Sequence, residues 1–164
     1  MDSVRYCTTE WLEGCFRLFP CQPRFEQELK KLSVSLAFRV LAEPEWAIEK
    51  DVIFGGKVEN GRLLTLDFLS EGTAKRESEF IMAAPPKIWK KVLRKEDKFL
   101  TDFMLGKITL EQGSKVGVLA IAPHANTFVD VLTQIPLLFP DEMTSEEVET
   151  YRSDLNKLGQ KLSS

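Results

Sequence analysis

FLTDFMLGKITLEQG (99–113) is the stretch on which the fold turns. Phe99, Leu100, Phe103 and Met104 have the spacing of an apolar helix face, broadened by Leu105. From Lys107 the pattern becomes an alternation. Ile108 and Leu110 face one way and Lys107, Thr109 and Glu111 the other, as in a short strand. Gly106 stands where a helix ends in a left-handed turn, and Gly113 lets the chain leave the strand at once. Taken with its neighbours, this is the return crossover of a layered α+β domain.

Upstream, SVSLAFRVLAE (33–43) alternates, with Val34, Leu36, Phe38, Val40 and Ala42 apolar and Ser33, Ser35, Arg39 and Glu43 polar. Pro44 turns the chain, and WAIEKDVIFGGKV (46–58) predicts a second strand. Asn60-Gly61 is a strong hairpin signal. RLLTLDFLS (62–70) reads as a third strand, EGTA as a turn and KRESEFIMAA (75–84) as a fourth strand. Short turns between them predict an antiparallel meander. Pro86 suits the first turn of the next helix, whose apolar stripe is Ile88, Trp89, Val92 and Leu93. Ser114 can cap a helix through 115–122, Pro123 interrupts it, and a further helix carries Phe128, Val131, Leu132 and Ile135. The box from Thr144 to Glu147 opens a last amphipathic helix.

The 164 residues fit one domain. We read 1–24 as an N-terminal extension, 25–135 as the core and 136–164 as a C-terminal extension. A net charge of −3 gives no electrostatic footprint for nucleic acid. The one basic cluster, KIWKKVLRK (87–95), reads as a solvated helix face, with an anionic headgroup or partner as the alternative. Apolar runs fall short of the roughly 18 residues of a membrane span. The first residues lack the apolar core of an export signal, which predicts a cytoplasmic location. Cys7, Cys15 and Cys21 match no zinc spacing. A disulfide joining Cys21 to Cys7 or Cys15 is disfavoured without export. His124 is the single histidine and reads as a helix-start or surface residue. FGGKVENG lacks the glycine order of a phosphate loop. No residue set asks for catalysis, a metal or a cofactor.

Apolar surface is the unusual quantity. Phe80, Trp89, Phe99, Phe103 and Phe128 follow the first strands, and the helix at 99–105 is apolar over a wide arc. Such a helix is buried on more than one side or lines an apolar cavity. Pattern alone favours the plainer of these, an ordinary sheet–helix core.

IWKKVLRKEDKFLTDFMLGKITLEQGSKVGVLAI (88–121) resembles the C-terminal half of the sterol carrier protein type two family. Trp89 matches a tryptophan position. Leu105-Gly106-Lys107-Ile108 matches the glycine–basic–apolar step, and Glu111-Gln112-Gly113 matches the strand end. The resemblance covers 25–135. The cysteine-bearing first 24 residues and the tail PLLFPDEM with its final helix depart from the pattern, and both are candidates to close a pocket or make a dimer contact.

The resemblance implies an α+β fold. A five-stranded mixed, mainly antiparallel sheet would be covered on one face by helices, with a fifth strand at 107–112 beside the meander. It also implies a lipid tunnel between sheet and helices, no catalytic residues and no metal or other cofactor. The implied lining is Phe38, Val40, Ile81, Ala83, Ile108 and Leu110 on strands. On the first helices it is Trp89, Phe99, Phe103, Met104 and Leu105, and on the later ones Val118, Ile121, Phe128 and Leu132. Lys87, Lys90, Lys91, Arg94 and Lys95 could meet a headgroup at the mouth. The expected function is a non-catalytic lipid carrier for a sterol, fatty acyl (including acyl-CoA) or isoprenoid chain. The alternative is an interaction or homodimerisation module without a transferable ligand, accessory to lipid or quinone metabolism.

Overall fold

The computed structural model describes residues 2–163. The chain begins with β1 (Val4–Arg5), α1 (Thr9–Leu18) and α2 (Pro23–Leu29). β2 (Val34–Val40), β3 (Val52–Glu59) and β4 (Arg62–Phe68) follow, then α3 (Glu71–Glu77) and β5 (Phe80–Ala84). α4 (Pro86–Leu93), α5 (Phe99–Met104) and β6 (Thr109–Gln112) complete the crossover. α6 (Lys115–Ile121), α7 (Ala125–Leu132), β7 (Leu137–Leu138) and α8 (Ser145–Ser163) end the chain.

The main sheet has five strands in the order β4-β3-β2-β5-β6. β2–β3, β3–β4 and β5–β6 pair antiparallel, and β2–β5 pair parallel. The sheet is therefore mixed and mainly antiparallel, and β6 lies where the crossover at 99–113 requires it. The hairpin at Asn60-Gly61 forms with positive φ at both residues, 50° and 83°, the requirement of its turn type.

Two local expectations are corrected. EGTAKRE is not turn plus strand but helix α3, because the Ser70 hydroxyl caps it by accepting from the Thr73 N–H at 3.2 Å. This helix carries the chain back beside β2 in parallel, which a tight turn cannot do. The four-strand meander is thus a three-strand one, and β5 enters by a helical crossover. The second strand also starts later than its alternation suggests. Pro44–Trp46 forms a 3-10 turn and Ala47 takes φ 64°, so pairing starts at Val52.

Side-chain parity sets the two faces. Leu36, Phe38, Val40, Phe54 and Met82 share the main core with Trp89, Phe103, Ile108 and Val118. Ala37, Ile53 and Ile81 face the other way, onto Ala74 of α3. Gly113 has φ 101°, and a Cβ there would lie 2.7 Å from the Glu79 carbonyl, so only glycine lets β6 turn into α6.

The two ends of the chain meet. β1 pairs parallel with β7, and the Tyr151 hydroxyl of α8 donates to the Tyr6 carbonyl at 2.6 Å. Arg5 reaches Asp154 at 2.8 Å. All three cysteines are free thiols, with Cys7 and Cys15 buried. Burial pushes the Cys15 thiol up to about 11.

Candidate apolar cavity

An apolar cavity of about 60 Å³ lies between the sheet and the helical layer. Leu36, Phe38, Phe54 and Met82 form its floor. Trp89, Val92 and Leu93 of α4 and Phe99 of α5 form one wall, and Ile121, Ala125, Phe128, Val129 and Leu132 the other. Tyr6 completes the lining. A second apolar void of about 40 Å³ lies beside it, lined among others by Phe19, Leu29, Val58 and Val131. Leu36, Phe38, Phe128 and Leu132 line both voids. Ligand pockets usually measure roughly 300–1,000 Å³.

Of the residues singled out from the sequence, Phe38, Trp89, Phe99, Ile121, Phe128 and Leu132 line the first cavity. Val40, Phe103, Ile108, Leu110 and Val118 belong to or pack on the same core without bordering the void. Ile81 and Ala83 stand on the opposite face, paired in register with Ala37 and Arg39. The cause is that all five residues of β5 are buried, so FIMAA carries no alternation from which to read a face. Met104 and Leu105 point outward, 56% and 66% exposed, as does Leu100 at 42%. α5 turns Phe99, Asp102 and Phe103 inward instead, so its wide apolar arc is not buried on several sides. Val116 and Leu119 of α6 are exposed as well.

Some lining residues were not singled out. Leu36 and Phe54 share the parity of Phe38, and Val92 and Leu93 share the stripe of Trp89, so the signal for them was present. Tyr6 carries none, since a pairing more than a hundred residues away puts it there.

The basic cluster of α4 is engaged by the chain itself. Lys90 pairs with Asp141 at 2.9 Å and Arg94 with Glu142 at 2.9 Å. Lys95 meets Asp130 at 2.6 Å, and Lys87 meets Glu45 at 3.4 Å. Three of these contacts fasten α4 and the turn after it to carboxylates of the following segments. The Trp89 indole N–H donates to the Arg39 carbonyl at 3.1 Å, which fixes the ring over the floor beside Phe38. No described group of three or more His, Cys, Asp and Glu residues could hold a metal ion. No helix among the described residues is long and apolar enough to cross a membrane.

No model of a known protein family matches the chain, and no curated protein sequence does. Solved structures match well. A conserved hypothetical protein of Thermus thermophilus, named as a candidate sterol carrier protein, superposes with a TM-score of 0.71 at 22% identity, over 84% of this chain and 94% of its own. The crystal structure of sterol carrier protein 2 superposes with a TM-score of 0.62 at 23% identity, over 77% of this chain and 93% of its own. The chain thus has the sterol-carrier-protein-2-like α+β fold that the stretch at 99–113 led us to expect.

Proposed function

We propose that this protein is a non-catalytic lipid-binding protein that holds one apolar chain between the sheet and helices α4 to α7. The observation that carries this reading is the pair of apolar voids that share Leu36, Phe38, Phe128 and Leu132 as lining. Each void is too small for a lipid, so uptake proceeds by rotation of these shared side chains and merging of the two. Phe128 is suited to this movement, because it lines both voids and is only partly buried. The driving force is burial of chain methylenes, about 0.8 kcal/mol each.

Native mass spectrometry of the purified protein, with an organic extract and titration by a fluorescent fatty acid, tests the reading. Bound or bindable lipid is expected. Phe128→Ala, which removes part of the shared lining, is expected to raise uptake, and Ala125→Trp, which fills the first void, to abolish it while the fold persists. No extractable lipid and no titratable binding would overturn it.

A second reading, an interaction or self-association module of the same fold, draws on the outward Leu100, Met104, Leu105, Val116 and Leu119. Sedimentation of wild type and Leu105→Glu separates the two: this reading requires a self-association that the variant loses.

A further inference from the structure

We propose that the outer surface of α5 and α6 docks on an anionic bilayer. Leu105 and Val116 enter the interface, and Lys98, Lys107 and Lys115 meet its headgroups. The inference goes beyond the lipid-binding reading and does not require it.

Large exposed apolar side chains are concentrated on this surface. Of the seven that the described residues expose, five are Leu100, Met104, Leu105, Val116 and Leu119. Val116 is 78% exposed, more than any other. Single exposed apolar residues need no explanation, whereas a concentration of them marks a contact surface. The two helices belong to one layer, since Phe99 of α5 and Ile121 of α6 border the same void with their inward faces. A Cβ placed at Gly106 would meet nothing beyond its chain neighbours within 4 Å, so the turn from Leu105 to Lys107 stands clear of the body.

Charge selects the occupant. Lys98, Lys107 and Lys115 are exposed on the same segments. Among the described residues Lys98 and Lys115 have no ion-pair partner, and Lys107 has only Asp102 at 4.0 Å. The two carboxylates of 98–120 are turned away: Asp102 is buried, and Glu111 is held at 2.7 Å by Arg39 on the other face of the sheet. In a chain of net charge −3 this surface is therefore locally cationic. Apolar side chains interspersed with lysines suit the boundary between acyl chains and anionic headgroups. A second copy of the chain suits it less, because a two-fold contact would set the same three lysines against each other.

Flotation with vesicles of phosphatidylcholine alone, and of phosphatidylcholine carrying about one third phosphatidylserine, tests the proposal. Wild type is expected to float with the anionic vesicles only, and less as salt is raised. Lys98→Gln and Lys115→Gln are each expected to weaken binding about fivefold. Leu105→Asp combined with Val116→Asp is expected to weaken it about tenfold or more. Leu64→Asp, on the opposite edge strand β4, is expected to change nothing. Leu105→Trp supplies a second readout, because the native tryptophans are buried: its emission is expected to be quenched by brominated acyl chains in anionic vesicles. No flotation of wild type with anionic vesicles, equal flotation with both kinds, or an unquenched Leu105→Trp would overturn the proposal. A dimer that the double aspartate variant dissolves, with no flotation of wild type, would assign the surface to a second copy instead. Fatty-acid titration without vesicles is a separate measurement. Binding there with no flotation removes the docking surface and leaves the carrier reading, and flotation without fatty-acid binding does the reverse.

Discussion

Asp102 is a polar residue on the inner face of an apolar helix. Its side chain is 2% exposed, and its nearest cation, Lys107, is 4.0 Å away. Its Oδ2 and that of Asp97 both lack hydrogen-bond partners. Burial, and then Asp97, hold the Asp102 carboxyl above its ordinary range, against the weaker pull of Lys107 and Lys91. A carboxyl raised in this way stabilises the fold when protonated. That contribution is fully present below the ordinary range and is lost as pH rises through the raised value. Asp102→Asn, which cannot ionise and can donate to Asp97, is expected to stabilise the protein by about 1 kcal/mol at neutral pH. The gain should shrink toward zero by about pH 4. Thermal unfolding of both proteins across that range is the check, and a gain independent of pH would exclude the carboxyl as its source. The same residue shows why Met104 and Leu105 looked like lining. With apolar residues on both sides of a six-residue helix, periodicity does not say which side turns inward, and it does not favour the side that carries an aspartate.

Arg39 connects three elements on the outer face of the sheet. Its guanidinium meets Glu71 of α3 at 2.6 Å, Glu111 of β6 at 2.7 Å and Asp51, just before β3, at 3.3 Å. The hydrogen bond from Arg39 holds the Glu71 carboxyl below its ordinary range. A lowered carboxylate contributes stability above the ordinary range and loses it as pH falls through its folded value. Arg39→Gln is expected to lower stability by about 1–2 kcal/mol at neutral pH, a modest figure because the carboxylates are a third to half exposed. Urea unfolding should find the deficit narrowing toward about pH 3; an equal deficit at both ends would assign it to packing instead. Elements with local signals are legible in the sequence: the Asn60-Gly61 hairpin, Pro86 opening α4, and Gly106 and Gly113 bracketing β6. α3 is not, because Ser70-Glu71-Gly72-Thr73 has the composition of a turn. Without α3, β5 reads as the next strand of a meander, and the wrong face of it reads as the inward one.

For the molecule as a whole, the decisive contacts join its ends. Tyr151 donates to the Tyr6 carbonyl across 145 residues of chain, and the Trp11 indole to the Leu132 carbonyl across 121. Tyr151→Phe leaves a buried carbonyl without its partner and is expected to cost about 1–3 kcal/mol. Amide exchange at Val4 and Tyr6, whose N–H groups bond to Pro136 and Leu138, should accelerate more than exchange in β2. Uniform acceleration would mean that the ends unfold only with the whole. No pattern in the residues announces this closure. Its strands are two residues long, too short for any alternation, and their partners lie at opposite ends of the chain.

That union of the ends also fixes an order of assembly. β2 to β6 can pair as soon as residues 34–112 are made, whereas Tyr6 has no seat until β7 and α8 exist. Contacts of such long sequence separation bear the largest loop-closure entropy and form late. The cavity therefore begins as an open cup on a nascent sheet and receives its last wall only once β7 and α8 have been made.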